Sequence, residues 1–212
     1  MSDVMIRTEE ALLIITINRP EARNAINRAT TLAIAEAVDR LENDDSLRVG
    51  ILTGAGDHFC AGMDLKAFLN GERVEIEGRG MAGITQTPPS KPLIAAIEGY
   101  ALAGGFEIAL ACDMIVASDT AKFGIPEVKR GLIAGSGGLL RLPTRMPRQI
   151  ALEYALTGNM MDATTAQHWG LINRLTDKGG ARDGARDGGA ALERLEGPPR
   201  AQAEREDRRD PL

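Results

Sequence analysis

Two carboxylates carry the residue types and spacing best suited to chemistry. Glu107 follows Gly104 by three residues in the segment Ala103-Gly104-Gly105-Phe106-Glu107, so the two share one face of a predicted helix. Its apolar neighbours predict partial burial, and buried carboxylates are rare unless they are paired or functional. Glu127 follows Pro126, which suits the start of a helical turn; alternatively, Glu127 only stabilises that turn through the helix dipole. Two such carboxylates, if they meet, can divide general-base and general-acid work on one water molecule.

Two glycine-bearing turns offer backbone amides for the same chemistry. One is Phe59-Cys60-Ala61-Gly62-Met63-Asp64-Leu65, and the other contains Gly104 and Gly105. Each places small residues between a predicted strand and a predicted helix, where unpaired N–H groups point outward and the helix dipole is positive. Two such amides that converge on one oxygen would form an oxyanion hole. The alternative is that these glycines only serve tight turns.

Alternating strands and helices must position these groups. Hydrophobic periodicity predicts strands over residues 11–18, 48–53, 92–100 and 114–117. It predicts helices over residues 28–41, 65–69, 104–111, 138–145, 147–156 and 163–169, with Asp64 as the N-cap of the second. Residues 71–80 are polar and predict a mobile surface loop. The alternation indicates an α/β fold.

Composition argues against several classes of protein. The net charge is −5 (25 basic minus 30 acidic residues) and aromatic residues make up 3%, so no nucleic-acid partner is expected. The sequence has no run of 18 apolar residues and no signal-peptide pattern, so neither a membrane segment nor secretion is expected. Cys60 and Cys112, the only cysteines, lack CxxC spacing and suit a reducing cytoplasm. Two histidines argue against a histidine-rich metal site.

Five motifs occur in the order in which one enzyme family has them. They are NRPEARNA, FCAGMDL, GYALAGGFEIALACDMIVAS, FGIPEVKRGLIAGSGGLLRLP and ALTGNMMDATTAQHWGLIN. Residues 4–175 thereby resemble the enoyl-CoA hydratase/isomerase (crotonase) family, and GGFEIALACD and PEVKRGL look most like its crotonobetainyl-CoA/carnitinyl-CoA hydratase-like branch. The resemblance implies an α/β crotonase (ClpP/crotonase-like) spiral of ββα units, assembled into a homo-trimer or hexamer. It also implies a cytoplasmic lyase of fatty acid metabolism that acts on acyl-CoA and needs no metal or redox cofactor.

The resemblance also assigns roles to individual residues. The two oxyanion-hole amides fall on Met63 and Gly104, and the two hydratase glutamates fall on Glu107 and Glu127. Acyl-CoA binding falls on seven residues: Arg23, Ala25, Ala61, Gly62, Asp64, Leu65 and Gly105. Because both glutamates are present, hydration of a 2-enoyl-CoA is favoured. The alternatives are isomerisation or another acyl-CoA reaction on the same scaffold, and a non-catalytic acyl-CoA-binding or assembly subunit.

The last 36 residues differ from the preceding 176. Residues 177–212 hold 8 basic and 9 acidic residues, and glycine and proline pairs interrupt any helical pattern, so we predict a disordered tail after a core domain of residues 1–176. In the family, helices that cover the acyl-CoA pocket and pack in the trimer normally follow here. The tail composition is typical of GC-rich DNA read out of frame, which favours a frameshift over a genuine disordered tail. Without covering helices, we expect little or no hydratase activity.

Overall fold

The computed structural model of the protein describes residues 2–193. Within them lie the following strands: β1 Val4–Glu9, β2 Leu12–Ile17, β3 Val49–Gly54, β4 Glu75–Ile76, β5 Gly80–Met81, β6 Leu93–Ile97, β7 Tyr100–Leu102, β8 Met114–Ser118, β9 Lys122–Gly124, β10 Met161–Asp162 and β11 Arg174–Thr176. The α-helices are α1 Arg28–Asn43, α2 Leu65–Leu69, α3 Gly104–Ala111, α4 Gly138–Arg145, α5 Arg148–Thr157, α6 Ala163–His168 and α7 Ala181–Glu193. Two 3-10 helices span Pro20–Ala22 and Pro126–Arg130.

A six-stranded sheet forms the centre of the fold, in the order β1-β2-β3-β6-β8-β11. β1 and β2 are antiparallel, and every other neighbouring pair is parallel. β2, β3 and β6 read as nearly continuous apolar runs because both faces of a parallel sheet are covered. A second sheet has the order β10-β9-β7, and its strands β7 and β9 directly follow β6 and β8 along the chain. The chain therefore repeats a strand of the main sheet, a strand of the second sheet and a helix, as in β6-β7-α3, which confirms the α/β prediction.

The strand predicted over residues 92–100 is divided into β6 and β7. Gly99, between them, has φ +51°, and a Cβ there would lie 2.1 Å from the Asp57 carbonyl oxygen. Only glycine tolerates both this conformation and this contact. The bend transfers the chain from the main sheet to the second one, and α3 begins two residues after β7 ends.

The prediction of a mobile surface loop over residues 71–80 is wrong in part. β4 pairs with β5, and the side chains of Val74 and Met81 are buried. Arg28 donates to the Glu75 carbonyl oxygen at 2.7 Å, and Arg79 donates to the Gly83 carbonyl oxygen at 3.1 Å. The sequence pattern misses this hairpin because its strands are two residues long and one of its contacts comes from Arg28, which is distant in sequence.

The predicted disorder of residues 177–212 is wrong for residues 181–193, which form helix α7. Ala181 and Ala185 are buried against a cluster of sheet side chains: Leu12, Ile14, Val49, Ile51, Ile94, Ala96 and Val116. Glycine and alanine, rather than large apolar residues, occupy the positions that face the sheet, so a search for a large apolar stripe overlooks the helix. The Ala181 N–H donates to Glu98 Oε1 at 3.1 Å, and Arg186 pairs with Glu9 at 2.7 Å. Residues 194–212, the rest of the predicted tail, lie outside the described residues.

Two glycines of α7 give a matched test of this packing. A Cβ at Gly188 would lie 3.8 Å from Ile94 Cδ1, an ordinary contact, whereas a Cβ at Gly184 would lie 2.9 Å from Thr176 Cγ2. Gly188→Ala is expected to stabilise the protein by about 1 kcal/mol, because alanine loses less backbone entropy in a helix, and to raise Tm by roughly 2–4 °C. Gly184→Ala is expected to lower Tm. Thermal unfolding of both variants checks this; equal shifts would place the helix away from the sheet.

Candidate active site

The turn of residues 59–65 is fastened to β7. The Cys60 N–H donates to the Tyr100 carbonyl oxygen at 2.9 Å, and the Cys60 carbonyl oxygen accepts from the Leu102 N–H at 3.0 Å. Gly62 has φ +103°, and a Cβ there would lie 3.3 Å from the Gly104 nitrogen. The two glycine-bearing turns are therefore in contact, as an oxyanion hole requires, and no larger residue fits at the contact.

The N–H groups of Met63 and Gly104 have no hydrogen-bond acceptor among residues 2–193. Beside Met63, the Ile26 N–H donates to the Gly62 carbonyl oxygen at 2.8 Å and the Asp64 N–H donates to the Ile26 carbonyl oxygen at 2.8 Å, so the backbone on both sides of the Met63 amide is fixed. Gly104 is the first residue of α3, where the amide has no intrahelical partner. The two unpaired amides thus lie at neighbouring turns, one of them at a helix N-terminus.

Backbone strain occurs directly before Gly104. Ala103 has φ +51° and ψ −132°, a conformation that non-glycine residues rarely adopt. Its N–H donates to the Gly124 carbonyl oxygen of β9 at 2.9 Å, which helps to hold the strained residue in place. Such strain tends to occur at functional sites, where it fixes a backbone group in a required orientation.

Glu107 is 2% exposed, in the first turn of α3. Its Oε1 accepts from the Gly138 N–H at 2.9 Å, and a Cβ at Gly138 would lie 2.8 Å from Glu107 Cγ. Burial raises the pKa of Glu107, although the Gly138 amide and the positive charge of Arg141 act in the opposite direction. The predicted burial of this carboxyl is confirmed, and its proton is lost at higher pH than from an ordinary glutamate.

Glu127 lies in the 3-10 helix Pro126–Arg130, as the helical-turn prediction requires. Its Oε2 is buried and has no hydrogen-bond partner among the described residues. Burial raises the pKa of Glu127, and the negative charge of Glu107 raises it further. The structure therefore brings the two carboxyls within electrostatic reach of each other, and an unpartnered carboxyl oxygen remains free to bind a small molecule.

Glu127 also lines an apolar cleft of about 320 Å³. The remaining lining residues come from the segment after β9 and from α4 and α5: Ile125, Val128, Leu132, Ile133, Ala134, Leu139, Leu142, Pro143, Ala151, Leu152, Ala155 and Leu156. Several of them are exposed at the rim, including Ile133 at 75% and Leu156 at 71%. The cleft is therefore a carboxyl-bearing apolar site that is open to solvent on one side.

The seven residues predicted to bind acyl-CoA lie on two adjacent segments and the start of α3. The Ala61 N–H donates to the Arg23 carbonyl oxygen at 3.0 Å, which brings residues 23–26 alongside residues 61–64. Arg23 and Leu65 are exposed, and Ala25 is half-buried. Gly62 and Gly105 are buried where the two turns meet: a Cβ at Gly105 would lie 2.3 Å from the Cys60 carbonyl oxygen.

Asp64 is occupied by structural contacts. Its Oδ1 accepts from the Lys66 N–H at 3.0 Å and the Ala67 N–H at 3.2 Å, which confirms it as the N-cap of α2. Its Oδ2 pairs with Arg19 at 2.9 Å. Asp64 therefore fixes the backbone that follows Met63.

Two residues at the site were not predicted. Gly138, whose amide donates to Glu107, is the first residue of α4. The glycine pair Gly137-Gly138 at the start of a helix is a sequence signal for unpaired amides. Met81 lies against Gly104, where a Cβ would be 2.5 Å from its Sδ. Nothing in the sequence near Met81 indicates that contact.

Together, the fold and the site combine two backbone amides that lack an acceptor among residues 2–193 with two carboxyls whose pKa burial raises. A family model described as enoyl-CoA hydratase/isomerase matches residues 7–193. The chain belongs to this family, which confirms the crotonase fold and the resemblance found in the sequence. No helix among the described residues is long and apolar enough to cross a membrane.

Three relatives show how close the similarity is. The enoyl-CoA hydratase EchA1 of Mycobacterium marinum is 56% identical with a TM-score of 0.90, over 91% of this chain and 76% of that one. The carnitinyl-CoA dehydratase of Proteus mirabilis is 46% identical over 85% of this chain and 70% of its own length. A carnitinyl-CoA dehydratase structure from Mycobacterium avium is 41% identical with a TM-score of 0.91, over 97% of this chain and 81% of that one.

Proposed function

We propose that the chain adds water across the 2,3 double bond of a 2-enoyl-CoA, with Met63, Gly104, Glu107 and Glu127 as its catalytic residues. The observation that carries this proposal is the combination of two unpaired amides in adjoining turns with two carboxyls of raised pKa. The names of the relatives, which are hydratases and dehydratases of CoA thioesters, support the same reaction class.

The amides act on the thioester carbonyl oxygen. When the oxygen of water adds to C3, electrons move through C2 onto the carbonyl oxygen, which gains negative charge. The N–H groups of Met63 and Gly104 donate to this oxygen and bind it more strongly as the charge grows, so they stabilise the transition state more than the substrate. Because the donors are backbone groups, side-chain changes at Met63 act mainly by distorting the turn.

The glutamates hold the water molecule and move its proton. In the reactive state one carboxyl of the pair is ionised and accepts a proton from the water as its oxygen attacks C3. The other delivers a proton to C2, which completes the addition and leaves a 3-hydroxyacyl-CoA. Burial and mutual repulsion favour a pair that carries one proton, the state that this division of work requires.

The acyl-CoA is proposed to lie across the segments that adjoin the turns. Arg23 is exposed and available to a phosphate of CoA, and Ala25, Ala61 and Leu65 border the path of the pantetheine arm. Gly62 and Gly105 allow the two turns that carry the amides to pack closely against each other. This binding mode needs no metal or redox cofactor. A homo-trimer or hexamer remains our expectation, and sedimentation of the purified chain tests it.

Hydration of crotonyl-CoA by the purified chain tests the proposal. The sequence predicts little or no activity because of a disordered tail, but α7 is ordered and packs on the sheet, so we now expect turnover. It should be slow compared with the Mycobacterium marinum relative, because water enters the open cleft beside Glu127 and weakens the electrostatic interactions of the site. Loss of the enoyl absorbance measures the rate. Formation of a 2-enoyl product from a 3-enoyl substrate would instead indicate isomerisation. Tight binding of the thioester without turnover would indicate an acyl-CoA-binding subunit.

The pH dependence of kcat is expected to be bell-shaped. Since burial raises the pKa of both Glu107 and Glu127, the acid limb should lie above the usual range of glutamate, about 4.3. Below it both carboxyls are protonated and neither can accept the proton of water. Above the alkaline limb both are ionised and none can deliver a proton. A kcat that does not change with pH above the usual range of glutamate would contradict the paired role.

A further inference from the structure

Arg141 of α4 contacts two segments of the chain that are distant in sequence. Its Nη2 donates to the Thr85 carbonyl oxygen at 2.7 Å, and its Nη1 lies 3.5 Å from the Ser136 carbonyl oxygen, the outer limit of a hydrogen bond. A Cβ at Gly137 would lie 2.2 Å from Nη1, so the guanidinium occupies space that a glycine leaves open. One planar group thus contacts the backbone of both segments.

The first segment holds Glu107. Ser136 and Gly137 precede Gly138, whose N–H donates to Glu107 Oε1. Gly137 has φ +98° and is the N-cap of α4, so its backbone conformation determines where the Gly138 amide points. The guanidinium packs directly over this residue and therefore limits movement of the turn that supports the carboxyl.

The second segment lies against Gly104. The Thr85 N–H donates to the Met81 carbonyl oxygen at 3.3 Å, so Thr85 and Met81 belong to one turn. Met81 packs on Gly104, at the start of α3. The bond from Arg141 to the Thr85 carbonyl oxygen therefore fixes the turn that places Met81 beside one of the two unpaired amides.

We propose that Arg141 is a positioning residue. Through its contacts with Ser136, Gly137 and Thr85, it keeps the Glu107 carboxyl and the Met81 side chain beside Gly104 in a single arrangement. The proposal rests on the function proposed above, since it concerns the geometry of Glu107 and Gly104 during hydration. Arg141 acts through backbone groups; its hydrogen bonds go to two carbonyl oxygens and not to a reacting atom.

Because Arg141 also carries a positive charge that acts on Glu107, the pKa of Glu107 gives a second measure of how Arg141 is placed. Burial and the charge of Glu75 raise the pKa of Glu107, whereas the Ser136 and Gly138 amides and Arg141 lower it. Glu127 is the other carboxyl near Glu107. Removal of the guanidinium should therefore raise the pKa of Glu107 both by loss of positive charge and by loosening the Gly138 amide. R141K keeps the positive charge, so a raised Glu107 pKa in R141K reports the loosened Gly138 amide alone.

The test compares R141Q and R141K with R145Q, all in the full chain. Arg145 is a matched control: it lies one turn further along α4, is also half-buried, and donates to the Cys112 carbonyl oxygen, at the far end of α3. For R141Q we expect kcat for crotonyl-CoA to fall about 10- to 100-fold, KM to change less than about threefold, and the acid limb to move to higher pH. R141K should also lose kcat, and its acid limb should move to higher pH by less than that of R141Q, since an ammonium keeps the charge but cannot hold two carbonyls as a planar fork does.

Two outcomes would overturn the proposal. In one, R141Q and R145Q lose kcat in proportion to their loss of Tm, with the acid limb unmoved. In the other, a ¹³C NMR titration of the Glu107 carboxyl, assigned with E107Q, gives the same pKa in R141K as in the unmodified chain. The titration requires no turnover. If the unmodified chain does not hydrate crotonyl-CoA, the proposed function fails, while a raised Glu107 pKa in R141K, which keeps the charge, but not in R145Q still supports the placement by Arg141.

Discussion

Glu107→Gln is expected to lower kcat for crotonyl-CoA hydration by about a thousandfold, within the 10²–10⁴ range of a positioned acid or base. A glutamine neither accepts the proton of the attacking water nor delivers one to C2. Its amide oxygen can still accept from the Gly138 N–H, which Glu107 Oε1 now does at 2.9 Å, and it buries no charge. The variant should therefore fold normally, and stopped-flow or steady-state assays with CD spectra check both points.

Glu75→Gln is the matched control for this change. Glu75 is an exposed carboxylate on β4 whose charge reaches Glu107. Because exposed charges interact weakly through water, its loss should alter kcat by no more than about threefold. If E75Q and E107Q impaired hydration equally, general loss of negative charge near the site, and not proton transfer by Glu107, would explain the effect.

Gly62→Ala is expected to lower kcat by about 10²- to 10³-fold, the usual cost of losing an oxyanion-hole donor. The new methyl group would lie 2.9 Å from Ala103 Cβ and 3.3 Å from the Gly104 nitrogen, so the two turns must move apart. The backbone at φ +103° also disfavours alanine. Both effects separate the Met63 and Gly104 amides, which must converge on one oxygen.

Gly71→Ala is the control that separates the effect of an unfavourable backbone conformation from the effect of the contact between the two turns. Gly71 has a similar positive φ, +86°, but a Cβ there would meet nothing within 4 Å. It should lose comparable stability through its backbone while kcat stays within about threefold of the unmodified chain. Equal losses of kcat in G62A and G71A, measured at matched fractions of folded protein, would contradict the role given to the contact between the two turns.

Local signals predicted the helices around the site well. The cap Asp64 and the glycine pairs at Gly104 and Gly138 mark the first turns of α2, α3 and α4, and the bounds of all three helices agree with prediction. Helix starts are specified by neighbouring residues, through caps and unpaired amides, which a sequence displays directly.

Features fixed by distant contacts were missed. β9, β10 and β11 are two or three residues long, too short for a periodic pattern, and they exist because they pair with neighbours. α7 was overlooked because alanine and glycine carry little hydrophobic signal, although they allow its backbone to pack closely on the sheet.

The residues of the site show the same contrast between local signals, which a sequence displays, and distant contacts, which it does not. Glu107 and Glu127 were identified from residue type and motif, whereas the contact of Gly138 with Glu107 depends on how α3 and α4 pack. Likewise, the place of Met81 beside Gly104 depends on a hairpin that the polar composition of residues 71–80 hides. Carboxyls that stand in recognisable motifs are thus easier to predict from a sequence than the backbone groups that hold them.

The most direct test of the central claim, hydration by the Glu107–Glu127 pair, is incubation of crotonyl-CoA with the purified chain in H₂¹⁸O, followed by mass spectrometry of the thioester. We predict 3-hydroxybutyryl-CoA that carries one heavy oxygen, formed at a rate that Glu127→Gln lowers at least about a hundredfold. Labelled product formed equally fast by the Glu127→Gln variant, or no labelled product from the unmodified chain, would contradict the account.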